Sequence, residues 1–130
     1  MVVSPAKEGE ATFLGRPVVA LMDAACFSET DVFLSALGAL PNVLLVGEAS
    51  GGGSARAQVV ELPNSGVKAR FASMVSFQAS GELFDGIGVQ PDVRVDVEPD
   101  YFLSNGTDHV LLTGQYELLN RQAEVGPGKP

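Results

Sequence analysis

Ser28 stands where an apolar run gives way to a helical pattern, within Asp23-Ala24-Ala25-Cys26-Phe27-Ser28-Glu29-Thr30-Asp31. A hydroxyl at such a junction has two uses. As a helix cap it would satisfy an orphan backbone N–H, with Asp31 three residues on completing a capping box. As a nucleophile, its oxygen would face the aligned N–H groups of a helix N-terminus, whose positive field stabilises a developing oxyanion. Cys26 is a second nucleophilic side chain, but it lies on the strand side of the bend with no neighbour that would activate it.

Two loops add to the inventory. Gly47-Glu48-Ala49-Ser50-Gly51-Gly52-Gly53-Ser54-Ala55 is the most permissive stretch of backbone in the chain. A phosphate-binding loop would need a Lys-Ser/Thr ending or a GxGxxG pattern, and neither is present. Further on, Leu83-Phe84-Asp85-Gly86-Ile87-Gly88-Val89-Gln90-Pro91-Asp92 sets Asp85 in an irregular, glycine-flanked loop of the kind that often carries function.

The elements that must position these groups follow from periodicity. Pro17 to Met22 is a continuous apolar run, as expected of a strand buried on both faces. Val32, Phe33, Leu34, Leu37 and Leu40 recur at helical spacing and predict a helix over 29–40. Pro41-Asn42 turns the chain into a second apolar strand, Val43 to Val46, so the three elements make a βαβ unit with a parallel pair. Residues 57–62 and 68–77 read as an antiparallel hairpin about the turn Pro63-Asn64-Ser65-Gly66. Val93 to Val97 alternates as a strand, and Asn105, Thr107 and Asp108 offer caps for a last helix ending near Glu124.

At 130 residues the chain suits one domain. We expect an irregular lead-in over 1–16, a core over 17–124 and a frayed tail over 125–130. The formal net charge of -8, with eight scattered basic residues, argues against a nucleic-acid partner. One cysteine and one histidine offer neither a disulfide nor metal-ligand spacing. No apolar run approaches a membrane span, and the first residues lack the basic-then-apolar pattern of a signal segment.

Taken in order, these motifs resemble the C-terminal processing, or tail-specific, serine peptidases. That family shows a buried strand, a Ser-Ala-x-Glu-like helix start, an apolar strand, a Gly-Glu-x-Thr-x-Gly loop, a hairpin and a Gly-Ile/Val-x-Pro-Asp signature. Here the matching stretches are 17–22, 28–31, 43–46, 47–53, 57–77 and Gly88-Val89-Gln90-Pro91-Asp92. The resemblance covers about Arg16 to Val97. It implies an α/β fold of the ClpP/crotonase type, makes Ser28 the nucleophile, and puts the backbone N–H of Glu29 in the oxyanion hole, with Gly51, Gly52 and Gly53 shaping the pocket wall. Ser28 then serves as both cap and reacting group.

One departure matters. The lysine that acts as general base in the processing proteases falls at Gly53, which cannot take a proton. A branch of the family like the tricorn protease core uses Ser-His-Glu instead, and Asp85 stands at the place of its acidic member. The histidine of that branch lies upstream of the serine, whereas His109 is downstream, beside Asp108, and reads as an exposed residue near a helix terminus. The resemblance therefore implies the C-terminal part of a longer catalytic domain, whose missing N-terminal part supplies the base and a second oxyanion donor. Peptide or protein is the expected substrate, no cofactor is required, and oligomer formation is compatible with the pattern. Family members often work outside the cytoplasm, but nothing in these residues fixes the compartment. The alternative is a catalytically inactive ligand- or peptide-binding module of the same fold, since retinoid-binding relatives also carry Gly-Gly-Gly in this loop. Phe71, Met74, Phe77 and Phe84 would then line an apolar pocket.

Overall fold

A computed structural model describes residues 16–96 and 99–125. Strands β1 (Val18–Met22) and β2 (Val43–Gly47) flank helix α1 (Glu29–Gly38) in sequence and pair in parallel, from Val18 opposite Val43 to Met22 opposite Gly47. The βαβ unit is thus in place. Every residue of β2 is buried, because it is the central strand of three and is covered by helices. Its unbroken Val-Leu-Leu-Val composition is what such a position selects.

Beyond β2 the chain makes a hairpin of β3 (Ala57–Glu61) and β4 (Lys68–Ala72), antiparallel from Ala57 opposite Ala72 to Glu61 opposite Lys68. A short strand, β5 (Val93–Arg94), returns to pair in parallel with the end of β2. Asp92 secures that return. Its N–H donates to the Leu45 carbonyl at 2.9 Å, and its carboxylate accepts the Leu45 N–H at 2.8 Å. Helices α2 (Pro99–Asn105) and α3 (His109–Val125) follow, and α3 packs on β1 and β2.

The core gathers Met22, Leu34, Val43, Leu45, Phe84 and Val89. Two of these, Phe84 and Val89, anchor both sides of the Asp85 loop.

Three expectations are corrected. The second hairpin strand ends at Ala72 rather than reaching residue 77, because the backbone beyond it bonds elsewhere. Ser73 donates its N–H and hydroxyl to the Arg56 carbonyl, and the Ser76 N–H goes to the Asp85 side chain. The strand from Val93 is two residues long, although Val95 still donates to the Gly47 carbonyl at 3.0 Å; residue 97 lies outside the described residues. Asn105 ends α2, a helix opening on Pro99, where a missing N–H costs nothing. The cap of α3 is Asp108, whose Oδ1 accepts the Leu111 N–H at 2.9 Å. Apart from Arg16 and Val125, the lead-in and the tail fall outside the described residues. Among the described residues no helix is long and apolar enough to cross a membrane.

Candidate active site

Between β1 and α1 the chain makes a tight turn held by Asp23, whose Oδ1 accepts the N–H groups of Ala25 and Cys26 at 2.9 and 3.2 Å. Ser28 follows at φ 62° and ψ −118°, and among the described residues no other non-glycine has a positive φ. Such a conformation costs of order 1–3 kcal/mol and persists only where the surroundings impose it. It also bears on the first of the two uses of the hydroxyl. An N-cap side chain reaches back from a β-region backbone, and Ser28 is not in that region. Its side chain makes no capping hydrogen bond, so the expected cap is corrected. What remains is a serine on a sharp strand-to-helix turn, its hydroxyl bonded to no described residue, at the positive end of α1. The Glu29 N–H, first of that helix, likewise donates to no described residue.

Asp31 does not cap either. It is 0% exposed, and its carboxylate accepts the Ser50 hydroxyl at 2.5 Å and the Gly52 and Gly53 N–H groups at 2.9 Å each. The Ser50 hydroxyl oxygen in turn accepts the Val89 N–H at 2.8 Å. One buried carboxylate therefore ties the helix after Ser28 to the glycine loop and, through Ser50, to the end of the Asp85 loop. The same junction is closed from the other side by the Gly51 N–H, which donates to the Cys26 carbonyl at 2.7 Å. Gly88, at φ +80°, completes the packing: a Cβ there would lie 1.9 Å from the Ser50 carbonyl oxygen.

Phe27 covers this loop. Its ring lies so close to Gly53 that a Cβ at that position would sit 1.8 Å from the ring's far carbon, and one at Gly51 would sit 2.6 Å from its Cδ2. Position 53 is thus closed to any side chain while the ring stays where it is.

Asp85 is half-buried and held by three hydrogen bonds: the Ser54 N–H at 3.1 Å, the Ser54 hydroxyl at 2.7 Å, and the Ser76 N–H. Because Ser54 spends its proton on Asp85, the Ser76 hydroxyl, 2.7 Å away, is the donor between the two serines. Burial alone would raise the Asp85 pKa. The Ser54 hydroxyl, the Ser76 hydroxyl behind it and the N–H groups of both serines outweigh it and hold the carboxyl below the usual aspartate range, so Asp85 is a carboxylate at neutral pH. A carboxylate offers about four acceptor sites, and these contacts leave room for one more donor.

The sign of this shift sets a pH test. A folded-state pKa below the unfolded value adds stability that is fully present above the unfolded aspartate pKa of about 3.9 and is lost as pH falls through the lower folded value. Urea unfolding of the native chain and of Asp85→Asn should therefore give a constant stability gap from pH 5 to 7. That gap is expected to close on acidification below about pH 4.

Ser28 and Asp85 open onto one cleft of about 720 Å³, shared with Phe27, Gly52, Gly53 and the facing side of the hairpin. Gly51, Glu29, Cys26 and His109 are not among its lining residues. Of the four residues expected to form an apolar pocket, Phe71 and Met74 line the cleft, Phe77 is exposed elsewhere and Phe84 belongs to the core. Lys68 is exposed on β4, 4.0 Å from Glu61. Among the described residues no three His, Cys, Asp or Glu side chains gather around a point where a metal ion would sit.

Comparison with known proteins places this geometry. Residues 3–95 match the profile of peptidase family S41, and the chain belongs to that family. A candidate peptidase from Parabacteroides merdae is 27% identical, with a TM-score of 0.76 over 94% of this chain and 37% of its own length. Mature CPAF in complex with lactacystin has the fold at 24% identity and a TM-score of 0.54, over 62% of this chain and 16% of its own. A lipoprotein from Streptococcus agalactiae shares it at 18% identity and 0.57, over 82% of this chain and 32% of its own. The chain thus spans little more than a third of the first of these and less of the others. No curated protein matches it.

Proposed function

We propose that this chain is the serine-bearing part of a serine endopeptidase of the tail-specific type, with a ClpP/crotonase-type core over 17–124. The observation that carries the reading is the strained Ser28, its hydroxyl uncommitted at the start of α1 and in one cleft with Asp85. The Ser28 oxygen attacks a peptide carbonyl while a histidine from the rest of the catalytic domain, outside this chain, takes its proton. Asp85 accepts the other imidazole N–H at its remaining site, fixing the tautomer and stabilising the imidazolium. The Glu29 N–H and the N-terminal field of α1 receive the oxyanion. The imidazolium then protonates the leaving amine, and water releases the acyl group by the same steps in reverse. Gly52 and Gly53 form the wall beside the substrate, and no cofactor enters.

A second reading, a catalytically inactive ligand- or peptide-binding module, is favoured by one feature: among the described residues no histidine or lysine lines the cleft. Labelling with a fluorophosphonate separates the two. The chain extended by its natural upstream sequence should label, and Ser28→Ala should abolish the label. This chain alone should react slower by several orders of magnitude, as expected for a nucleophile without its base. A correctly folded longer protein that never labels would sink the peptidase reading and leave the binding module.

A further inference from the structure

Asn105 and Gly106 form the only Asn-Gly pair of the sequence, and Asp85 and Gly86 its only Asp-Gly pair. Either pair has the atoms for one reaction, attack by the glycine's backbone nitrogen on the side-chain carbonyl carbon of the residue before it. Glycine favours it, because no Cβ crowds the nitrogen. The fold separates the two pairs. At Asp85-Gly86 the Gly86 N–H donates to the Gly52 carbonyl at 2.6 Å, and the carboxylate is engaged by Ser54 and Ser76. There the nitrogen is committed, and a carboxylate is a poor electrophile. Asn105 is the last residue of α2, and both it and Gly106 are exposed. Gly106 leaves the helix at φ 71°, with nothing but its chain neighbours within 4 Å of where a Cβ would stand.

The turn also prepares the amide. The Thr107 N–H donates to Asn105 Oδ1 at 2.9 Å and closes an Asx turn, whose ring contains both reacting atoms, Asn105 Cγ and the Gly106 nitrogen. A donor on Oδ1 draws electrons from Cγ. We propose that Asn105 is a site of spontaneous deamidation, its side-chain amide reacting through a succinimide formed with Gly106. The Gly106 nitrogen bonds to Asn105 Cγ, the Cγ–Nδ2 bond breaks, and the amide group leaves as ammonia with the Gly106 proton. Water then opens the ring at either carbonyl, giving aspartate or isoaspartate with no change of oxidation state. Aspartate keeps an acceptor for the Thr107 N–H and sets a negative charge ahead of α3, whose positive end favours it. Isoaspartate instead lengthens the main chain by a methylene in the connection to α3. Asn105 does not line the cleft, so the inference is independent of what Ser28 does.

The full chain, Gly106→Ala and a capped peptide spanning 103–108 are aged at neutral and at mildly alkaline pH, with circular dichroism confirming that the proteins stay folded. Digestion and fragment-ion mass spectrometry then follow each asparagine over time. In the folded chain Asn105 should convert well before Asn42, Asn64 and Asn120, and faster at the higher pH, because the attacking nitrogen must give up its proton. Gly106→Ala should slow the conversion several-fold. Isoaspartyl methyltransferase with S-adenosylmethionine should label the aged native chain. That label decides the matter even if Gly106→Ala does not fold, since ring opening yields isoaspartate whereas direct hydrolysis of the amide yields aspartate alone. An Asn105 that stays intact in the folded chain while the peptide converts overturns the proposal, because the fold then protects it. So does conversion to aspartate alone, conversion no earlier than at the other asparagines, or an unchanged rate in a folded Gly106→Ala.

Discussion

Exchanging Asp31 for alanine is expected to cost about 3–5 kcal/mol, because three donors lose their common buried acceptor. That is a large share of the roughly 5–15 kcal/mol that holds a domain of this size together. The loss has identifiable parts. The Ser50 hydroxyl and the N–H groups of Gly52 and Gly53 all lose their acceptor, in a place water reaches poorly. Each such orphan costs about 1–3 kcal/mol. Asp31→Asn should be milder but still damaging, because its amide can accept at only one end and would turn donors toward donors at the other. Urea unfolding checks both, with Asp96→Ala as a control, since an exposed pair of this kind contributes within about 1 kcal/mol. A cost for Asp31→Ala close to that control would mean that the carboxylate is not what holds the glycine loop.

The consequence for function lies in what the loop carries. Gly52 and Gly53 form one wall of the cleft, and the Ser50 hydroxyl reaches the end of the Asp85 loop, so Asp31 positions both sides of the site without lining it. Nothing in the letters distinguishes this role from a capping box, since Ser28-x-x-Asp31 is the pattern of both. The backbone at Ser28 settles it, and backbone strain is a property of the folded turn rather than of the residue type.

Other features were legible or hidden for comparable reasons. The strands β1 and β2, the helix between them and their parallel pairing could be read from apolar runs, because a strand buried on both faces needs no alternation and leaves a continuous signal. The hairpin turn was equally plain. Where β4 stops was not, since that depends on Asp85 capturing the Ser76 N–H from nine residues away. Ser28 and Asp85 stood out by order and by their surroundings of glycine and apolar residues. Ser54 and Ser76 did not: a serine in a loop is common, and only the fold brings these two onto one carboxylate.

Phe27 and Gly53 should prove coupled. In the native chain Gly53→Ala must drive the ring off the loop, because the new methyl and the ring's far carbon cannot share 1.8 Å. The ring is 56% exposed, so it has solvent to move into, and the cost is the packing it leaves behind, about 1–2 kcal/mol. After Phe27→Ala the same substitution should be nearly neutral. A double-mutant cycle on urea stability would then give an interaction energy of about 1–2 kcal/mol, well above the scatter between independent sites. The chemical corollary is larger. Gly53→Lys alone is expected to leave Ser28 as unreactive as before, since any orientation of the amine must first displace the ring. In Phe27→Ala, Gly53→Lys places a base on the wall that Ser28 shares, and fluorophosphonate labelling should rise by about a hundredfold over Phe27→Ala alone, the lower end of what a positioned base contributes. The rate should also climb with pH, as the amine gives up its proton. Equal labelling of the two would mean that the ring is not what keeps a base from this position.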